Sequence, residues 1–267
     1  MEKKFKLGVI GAGFMSSAII GGALSSGFLS ADEIIVTDKY AEAREKIARY
    51  NVTVAETKDV FDNAEFVLFA VKPQNFAELK EFSTERSCRK LISIMAGVKR
   101  EKIRGVFAGA KVARCMPNTP CSVGNGAVGI DLSDYTDERD VEFIKGLFGS
   151  FAKIALLDES KLNAVTGISG SSPAYFYLFL KGIIEAGVKQ GLDYGTAKDF
   201  ATNTMIGAGK MILNNPDKSL DELITAVCSK GGTTIEAVRI YEQSDLDGIS
   251  EKAVDACVKR AFELENI

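Results

Sequence analysis

The chain has 267 residues, 46% hydrophobic and 26% charged, with no histidine and no tryptophan. That balance fits a globular chain rather than a disordered one, and the missing imidazole excludes Ser-His-Asp, Cys-His and His-ligated metal chemistry. With 33 basic and 36 acidic residues the net charge is -3, so neither nucleic acid nor an anionic membrane surface is an expected partner.

Length predicts about two domains, at roughly 150 residues each. The first half alternates β-rich and helical runs. Strands are expected at 5–10, 33–37, 52–54, 65–70, 90–94 and 111–114, with helices at 14–26 and 41–50. In the strand expected at 65–70, the residues after Glu65 are continuously apolar, as in the middle of a parallel sheet. Alternation of this kind implies right-handed βαβ units in a doubly wound Rossmann sheet. After residue 158 the strands stop and helices are expected at 173–190, 196–214, 220–227, 234–243 and 248–265. The first of these is apolar nearly all round between Ala174 and Ile184, so it must be buried in a core or in a subunit interface. The expected division is a dinucleotide-binding half, 1–158, and an all-helical half, 159–267.

The five cysteines, Cys88, Cys115, Cys121, Cys228 and Cys257, include no Cys-x-x-Cys pair. Free thiols in a reducing cytosol are expected, and no metal ligand set. The charged N-terminus is broken at Gly8, Gly11 and Gly13 with no cleavage signal after it, and no apolar run approaches a membrane span. A cytoplasmic chain is expected.

Gly11-Ala12-Gly13-Phe14-Met15-Ser16 lies between the first strand and the first helix. The first glycine permits the tight turn, and the second lets backbone approach a pyrophosphate at the helix N-terminus. Ser16 stands where the third glycine usually is, and is small enough for close packing. About 25 residues on, the second strand ends at Thr37-Asp38-Lys39. An acid there binds the 2′-hydroxyl of NAD, while a base accommodates the 2′-phosphate of NADP. Asp38 points to NADH and Lys39 keeps NADPH open.

Four more stretches are hard to explain as packing: Ala70-Val-Lys-Pro73, Cys115-Met-Pro-Asn-Thr-Pro120, Gly167-Ile-Ser-Gly-Ser-Ser-Pro-Ala-Tyr175 and Cys228-Ser-Lys-Gly-Gly-Thr-Thr-Ile235. In this order, behind a Rossmann start, they resemble pyrroline-5-carboxylate reductase along essentially the whole chain. The resemblance implies reduction of the cyclic imine L-1-pyrroline-5-carboxylate to L-proline by NADPH or NADH. It also implies a Rossmann domain followed by a helical domain that interleaves in a homodimer, often a decamer.

Residue by residue, the resemblance places Ile10, Gly11, Ala12, Gly13, Phe14 and Met15 on the pyrophosphate. It places Ala70, Val71, Lys72 and Pro73 on the cofactor loop, Met95, Ala96 and Gly97 on a small-residue turn beside the cofactor, and Asn118 at the bottom of the cleft. Asp38 and Lys39 join them from the argument on the ribose. Ser169 and Ser171 match the family's serine turn. Ser229, Gly231, Gly232, Thr233 and Thr234 match its substrate turn, with Thr234 on the ring nitrogen as the catalytic group. Two positions depart from the pattern: Ser172 replaces a glycine and Lys230 a proline. The chemistry suits these residues. A helix start with free N–H groups holds a carboxylate, and the cofactor brings the hydride. The ring nitrogen takes its proton from solvent, so a threonine hydroxyl need only orient it; Thr234 as a mere helix cap is the plain alternative. A β-hydroxyacid dehydrogenase would need an asparagine four residues after Lys181, where Glu185 stands. A dinucleotide sensor without turnover would have no use for the second, substrate turn.

Overall fold

The computed structural model describes residues 4–83 and 89–265; Cys88 lies outside them. Two compact units emerge: Met1–Pro173 together with Ala256–Ile267, and Ala174–Asp255. The switch from strands to helices after residue 158 therefore does not coincide with the limit of the first unit, which runs on to Pro173 and takes in the C-terminal segment.

The first unit is built on an eight-stranded sheet. In chain order its elements are β1 (Phe5–Ile10), α1 (Phe14–Ser25), β2 (Ile34–Thr37), α2 (Ala41–Ala48), β3 (Thr53–Val54), α3 (Thr57–Asn63), β4 (Ala64–Phe69), β5 (Lys90–Ser93), α4 (Arg100–Val106), β6 (Lys111–Pro117), β7 (Gly126–Asp131), α5 (Glu138–Gly149), β8 (Ala152–Leu156) and α6 (Leu162–Val165). The strand order is β3-β2-β1-β4-β5-β6-β7-β8, and all neighbours are parallel except β6 and β7. Leu7 of β1 pairs with Ile34 on one side and Phe66 on the other. The order thus reverses at β1, which opens a crevice beyond the carboxyl ends of β1 and β4.

Apolar strands make this possible because each has two faces to bury. On β4, Phe66 and Leu68 join Ile19 and Ile20 of α1 and Leu147 and Phe148 of α5 in one cluster. Val67 and Phe69, one residue out of step, join Phe61 of α3 and Ile103 of α4 in the other. Six of these elements were not expected from the sequence: α3, α4, β7, α5, β8 and α6. Strand β7 contains Gly126 and Gly129, which lower its strand propensity, and β8 is a partly exposed edge. A 3-10 segment, Pro73–Phe82, also follows β4.

The second unit carries most of α7 (Ser172–Lys189), all of α8 (Tyr194–Asn214), α9 (Leu220–Val227) and α10 (Thr233–Gln243), and the start of α11 (Leu246–Leu264). Local chemistry marks the helix starts. Asp193 accepts the Thr196 N–H at 3.0 Å, and Ser219 and Glu222 form a capping box at α9. The apolar surface is largely uncovered: only Ile184 and Ala197 are buried, while Leu178 is 72% and Leu213 79% exposed. Of the two alternatives for the apolar α7, a core of its own chain is therefore not the one realised.

Candidate functional site

The turn after β1 is held from three sides. Gly11 donates its N–H to Thr37 O (2.9 Å), Ala70 donates to Ile10 O (2.8 Å), and Ala12 donates to Asp38 Oδ2 (2.7 Å). Gly11 has φ +103°, and a Cβ there would stand 2.7 Å from Ala70 O, so both conformation and space demand glycine. Gly13 is different. Its φ is an ordinary -78°, and a Cβ would meet nothing within 4 Å. Neither strain nor packing calls for glycine at that point. Gly13 is also the N-cap residue of α1, where no side chain caps the first N–H groups. Open space before uncapped donors fits a pyrophosphate. Ser16 is buried and turns its hydroxyl back onto Gly13 O at 3.0 Å, which explains how it replaces a glycine here.

A cleft of about 350 Å³ opens beside this turn. Of the expected cofactor residues, Ile10, Gly11, Gly13, Asp38, Lys39, Ala70, Val71 and Lys72 line it. Its far wall was missed by sequence reasoning: Asn75, Glu78 and Phe82 come from the 3-10 segment, which carries no motif. Tyr40 was missed too, although an aromatic that is 62% exposed directly after an Asp-Lys pair is a readable signal for a flat ring system. Asp38 is doubly held, since Oδ1 also accepts the Tyr40 N–H at 2.9 Å. Lys39 is paired with both oxygens of Glu78 (2.8 and 3.1 Å), which raises its pKa.

The remaining expected residues stand outside that cleft. Phe14 is exposed and, with Ala12, borders a separate hollow along α1. Met15 packs on the core, and Pro73 opens the 3-10 segment. Met95 is buried in the core, and Gly97 (φ +72°) lies against Leu264, leaving Ala96 as the half-buried member of that turn. The end of α11 is fastened there by Glu265, which accepts from Lys99 (2.9 Å) and Asn163 (2.8 Å). Asn118 is a tie: its Nδ2 donates to Ser169 O (3.3 Å) and its Oδ1 accepts from Ala127 N (2.9 Å). It thereby links β6, β7 and the π-helical turn Thr166–Gly170. Ser169 bonds Val165 O (3.1 Å), and Ser171 accepts from the Cys257 thiol (3.2 Å). Burial pushes the Cys115 and Cys121 thiols up, so neither is a nucleophile.

In the second unit, α10 starts at a bare turn. Gly231 has φ +72°, and a Cβ on Gly232 would strike the Ser229 hydroxyl. Gly232 is the N-cap residue and has no side-chain cap bond. Thr233 and Thr234 are thus the first two helical residues, both exposed. The plain reading of Thr234 as a cap fails, and its hydroxyl makes no hydrogen bond among the described residues.

Comparison with known proteins agrees with this geometry. Residues 159–264 match the family described as Pyrroline-5-carboxylate reductase dimerisation, and residues 6–97 match NADP oxidoreductase coenzyme F420-dependent. The pyrroline-5-carboxylate reductase of Haemophilus influenzae is 38% identical over 263 residues, covering 97% of both chains. The chain belongs to the pyrroline-5-carboxylate reductase family. The Pisum sativum enzyme of that name is 35% identical over 99% of this chain and 97% of its own. A solved family structure from Coxiella burnetii superposes with a TM-score of 0.86 at 28% identity, covering 98% and 99% of the two chains. The Plasmodium falciparum structure, solved with NADP bound, gives 0.85 at 25%, covering 99% and 100%. A pyrroline-5-carboxylate reductase dimerisation segment explains the bare apolar helices: the protein is an oligomer. The family departures are accommodated. Ser172 is buried and donates to Gly167 O at 3.3 Å, without a positive φ, and Lys230 is exposed. Lys181, where a dehydrogenase would want its asparagine partner, faces Glu185 at 3.7 Å.

Proposed function

We propose that this chain reduces L-1-pyrroline-5-carboxylate to L-proline at the expense of NAD(P)H, the last step of proline biosynthesis. The observation that carries the reading is the pair of uncapped, glycine-built helix starts. One is at Gly13 on the sheet unit and the other at Gly232 on the helical unit. Each suits an anion, as the two reactants require: a dinucleotide pyrophosphate and a small carboxylate. The cofactor half is taken as 1–158 and the substrate-binding and pairing half as 159–267, working in the cytoplasm as a homodimer or a pentamer of dimers.

Bound nicotinamide supplies a hydride. The chain's own work is to bind and to orient. Gly11, Gly13 and the Ala70–Lys72 loop shape the pyrophosphate cradle, with Asp38 bracing the turn through Ala12. The N–H groups at Gly231–Thr234 hold the substrate carboxylate, and Thr234 turns its free hydroxyl to the ring nitrogen. The nitrogen gains its proton from solvent, so a chain without histidine lacks nothing the reaction needs. Asn118 acts at one remove, by fixing the serine turn through Ser169 O.

Initial rates of NAD(P)H oxidation test the reading. The imine should be turned over to proline, while 3-oxo and hydroxy acids should be inert. A chain that binds dinucleotide but leaves the imine untouched would be a sensor instead.

A further inference from the structure

The dinucleotide cleft carries a charge pattern that bears on which dinucleotide it takes. We propose that it selects NADH over NADPH, with Asp38 as the residue that rejects the 2′-phosphate. The inference rests on the reading of this cleft as the cofactor site.

Asp38 stands at the end of β2, where the ribose of a bound dinucleotide lies in this fold. Both carboxylate oxygens are fixed by backbone donors, Oδ2 by Ala12 N–H at 2.7 Å and Oδ1 by Tyr40 N–H at 2.9 Å. The group therefore cannot swing aside without releasing the glycine turn. A carboxylate in that place accepts a hydrogen bond from a 2′-hydroxyl. Against a 2′-phosphate, which brings close to two negative charges at neutral pH, it is a like charge at short range. This is rejection by repulsion, the other half of specificity.

The neighbouring cation does not offset it. Lys39 is already held by both oxygens of Glu78. To serve a phosphate it would have to leave Glu78 unpaired on the cleft wall. Of the charged residues lining the cleft, Asp38, Glu78 and Glu81 are acidic while Lys39 and Lys72 are basic. A phosphate would thus enter a wall that is negative on balance.

Equilibrium binding decides the matter without turnover, because the nicotinamide ring of either dinucleotide reports binding by its own fluorescence. NADH should bind at least tenfold tighter than NADPH to the full-length protein. Asp38→Asn, which keeps an acceptor for Ala12 N–H, should shrink that ratio at least tenfold, mainly by tightening NADPH. Glu78→Gln, which frees Lys39, should shift the ratio the same way by a smaller factor. The inference is overturned if NADPH binds the wild type as tightly as NADH, or if Asp38→Asn leaves the ratio unchanged. Failure of both dinucleotides to bind the wild type would instead overturn the cleft as the cofactor site, and the inference with it.

Discussion

The two units of this chain solve the burial problem in opposite ways. The sheet unit closes its own core, with Leu7, Val9, Phe66, Phe69 and Leu91 all fully buried. In Ala174–Asp255 the same kinds of residue stand in solvent: Phe176 is 57%, Leu178 72% and Leu213 79% exposed. A parallel sheet with helices on both faces is a complete object. A set of apolar helices with two buried side chains is half of one, and the oligomer supplies the rest. The lesson is that the sheet unit buries its apolar side chains within itself, whereas the helical unit leaves them for an oligomer to cover.

The comparison breaks most sharply at α7. Leu178→Glu should weaken association of the copies by about a thousandfold, since an unpaired buried charge costs roughly 3–5 kcal/mol. Sedimentation velocity over a dilution series reads this directly. An oligomer unchanged by that substitution would mean that the exposed face has another purpose. The sheet unit has its own breaking point at Gly11. Gly11→Ala forces a Cβ to 2.7 Å from Ala70 O at φ +103°, with strain of about 1–3 kcal/mol. Loss of dinucleotide binding and a lower melting temperature are expected, and retained affinity would contradict the tightness of the turn. At the start of α10 the effect is purely kinetic. Thr234→Ala should lower kcat/KM at least tenfold, given that one such bond is worth roughly 1–3 kcal/mol. Because that hydroxyl is exposed and unbonded, melting temperature and association should stay as they are; a stability change with unaltered kinetics would make Thr234 structural.

The smallest effect concerns pH and belongs to the sheet unit alone. Burial tends to raise the Glu65 carboxyl, but hydrogen bonds from Lys6 (2.7 Å) and Lys90 (2.9 Å) outweigh it and hold its pKa below the ordinary value. Its stabilisation is therefore present above the unfolded glutamate pKa, about 4.3, and is lost as pH falls through the lower folded value. Glu65→Gln should flatten the acid limb of stability against pH by at most about 1 kcal/mol, because the pairs are partly exposed. An acid limb as steep as wild type would remove Glu65 from the account.

The glycine turn after β1 was legible because its geometry is local: the spacing of Gly11, Gly13 and Asp38 alone marks where strand, turn and helix meet. The far wall of the cleft was not, since Asn75 and Glu78 sit on a 3-10 segment with no periodic pattern. Strands β7 and β8 escaped for want of propensity: Gly126 and Gly129 weaken one, and solvent exposure dilutes the other. Met95 and Gly97 were assigned to the cofactor by resemblance, yet one lies in the core and the other against Leu264. That contact joins residues far apart in sequence, and no local rule anticipates it. The apolar character of α7 was legible, but periodicity does not distinguish a core from an interface.

The central claim is that a hydride passes from nicotinamide to the imine carbon on this protein. Reaction of L-1-pyrroline-5-carboxylate with NADH deuterated at both positions of nicotinamide C4 tests it most directly, with mass spectrometry and NMR of the proline formed. The account predicts one deuterium per proline, on the ring carbon that had been double-bonded to nitrogen. Proline free of deuterium, or no proline at all despite bound dinucleotide, would contradict it.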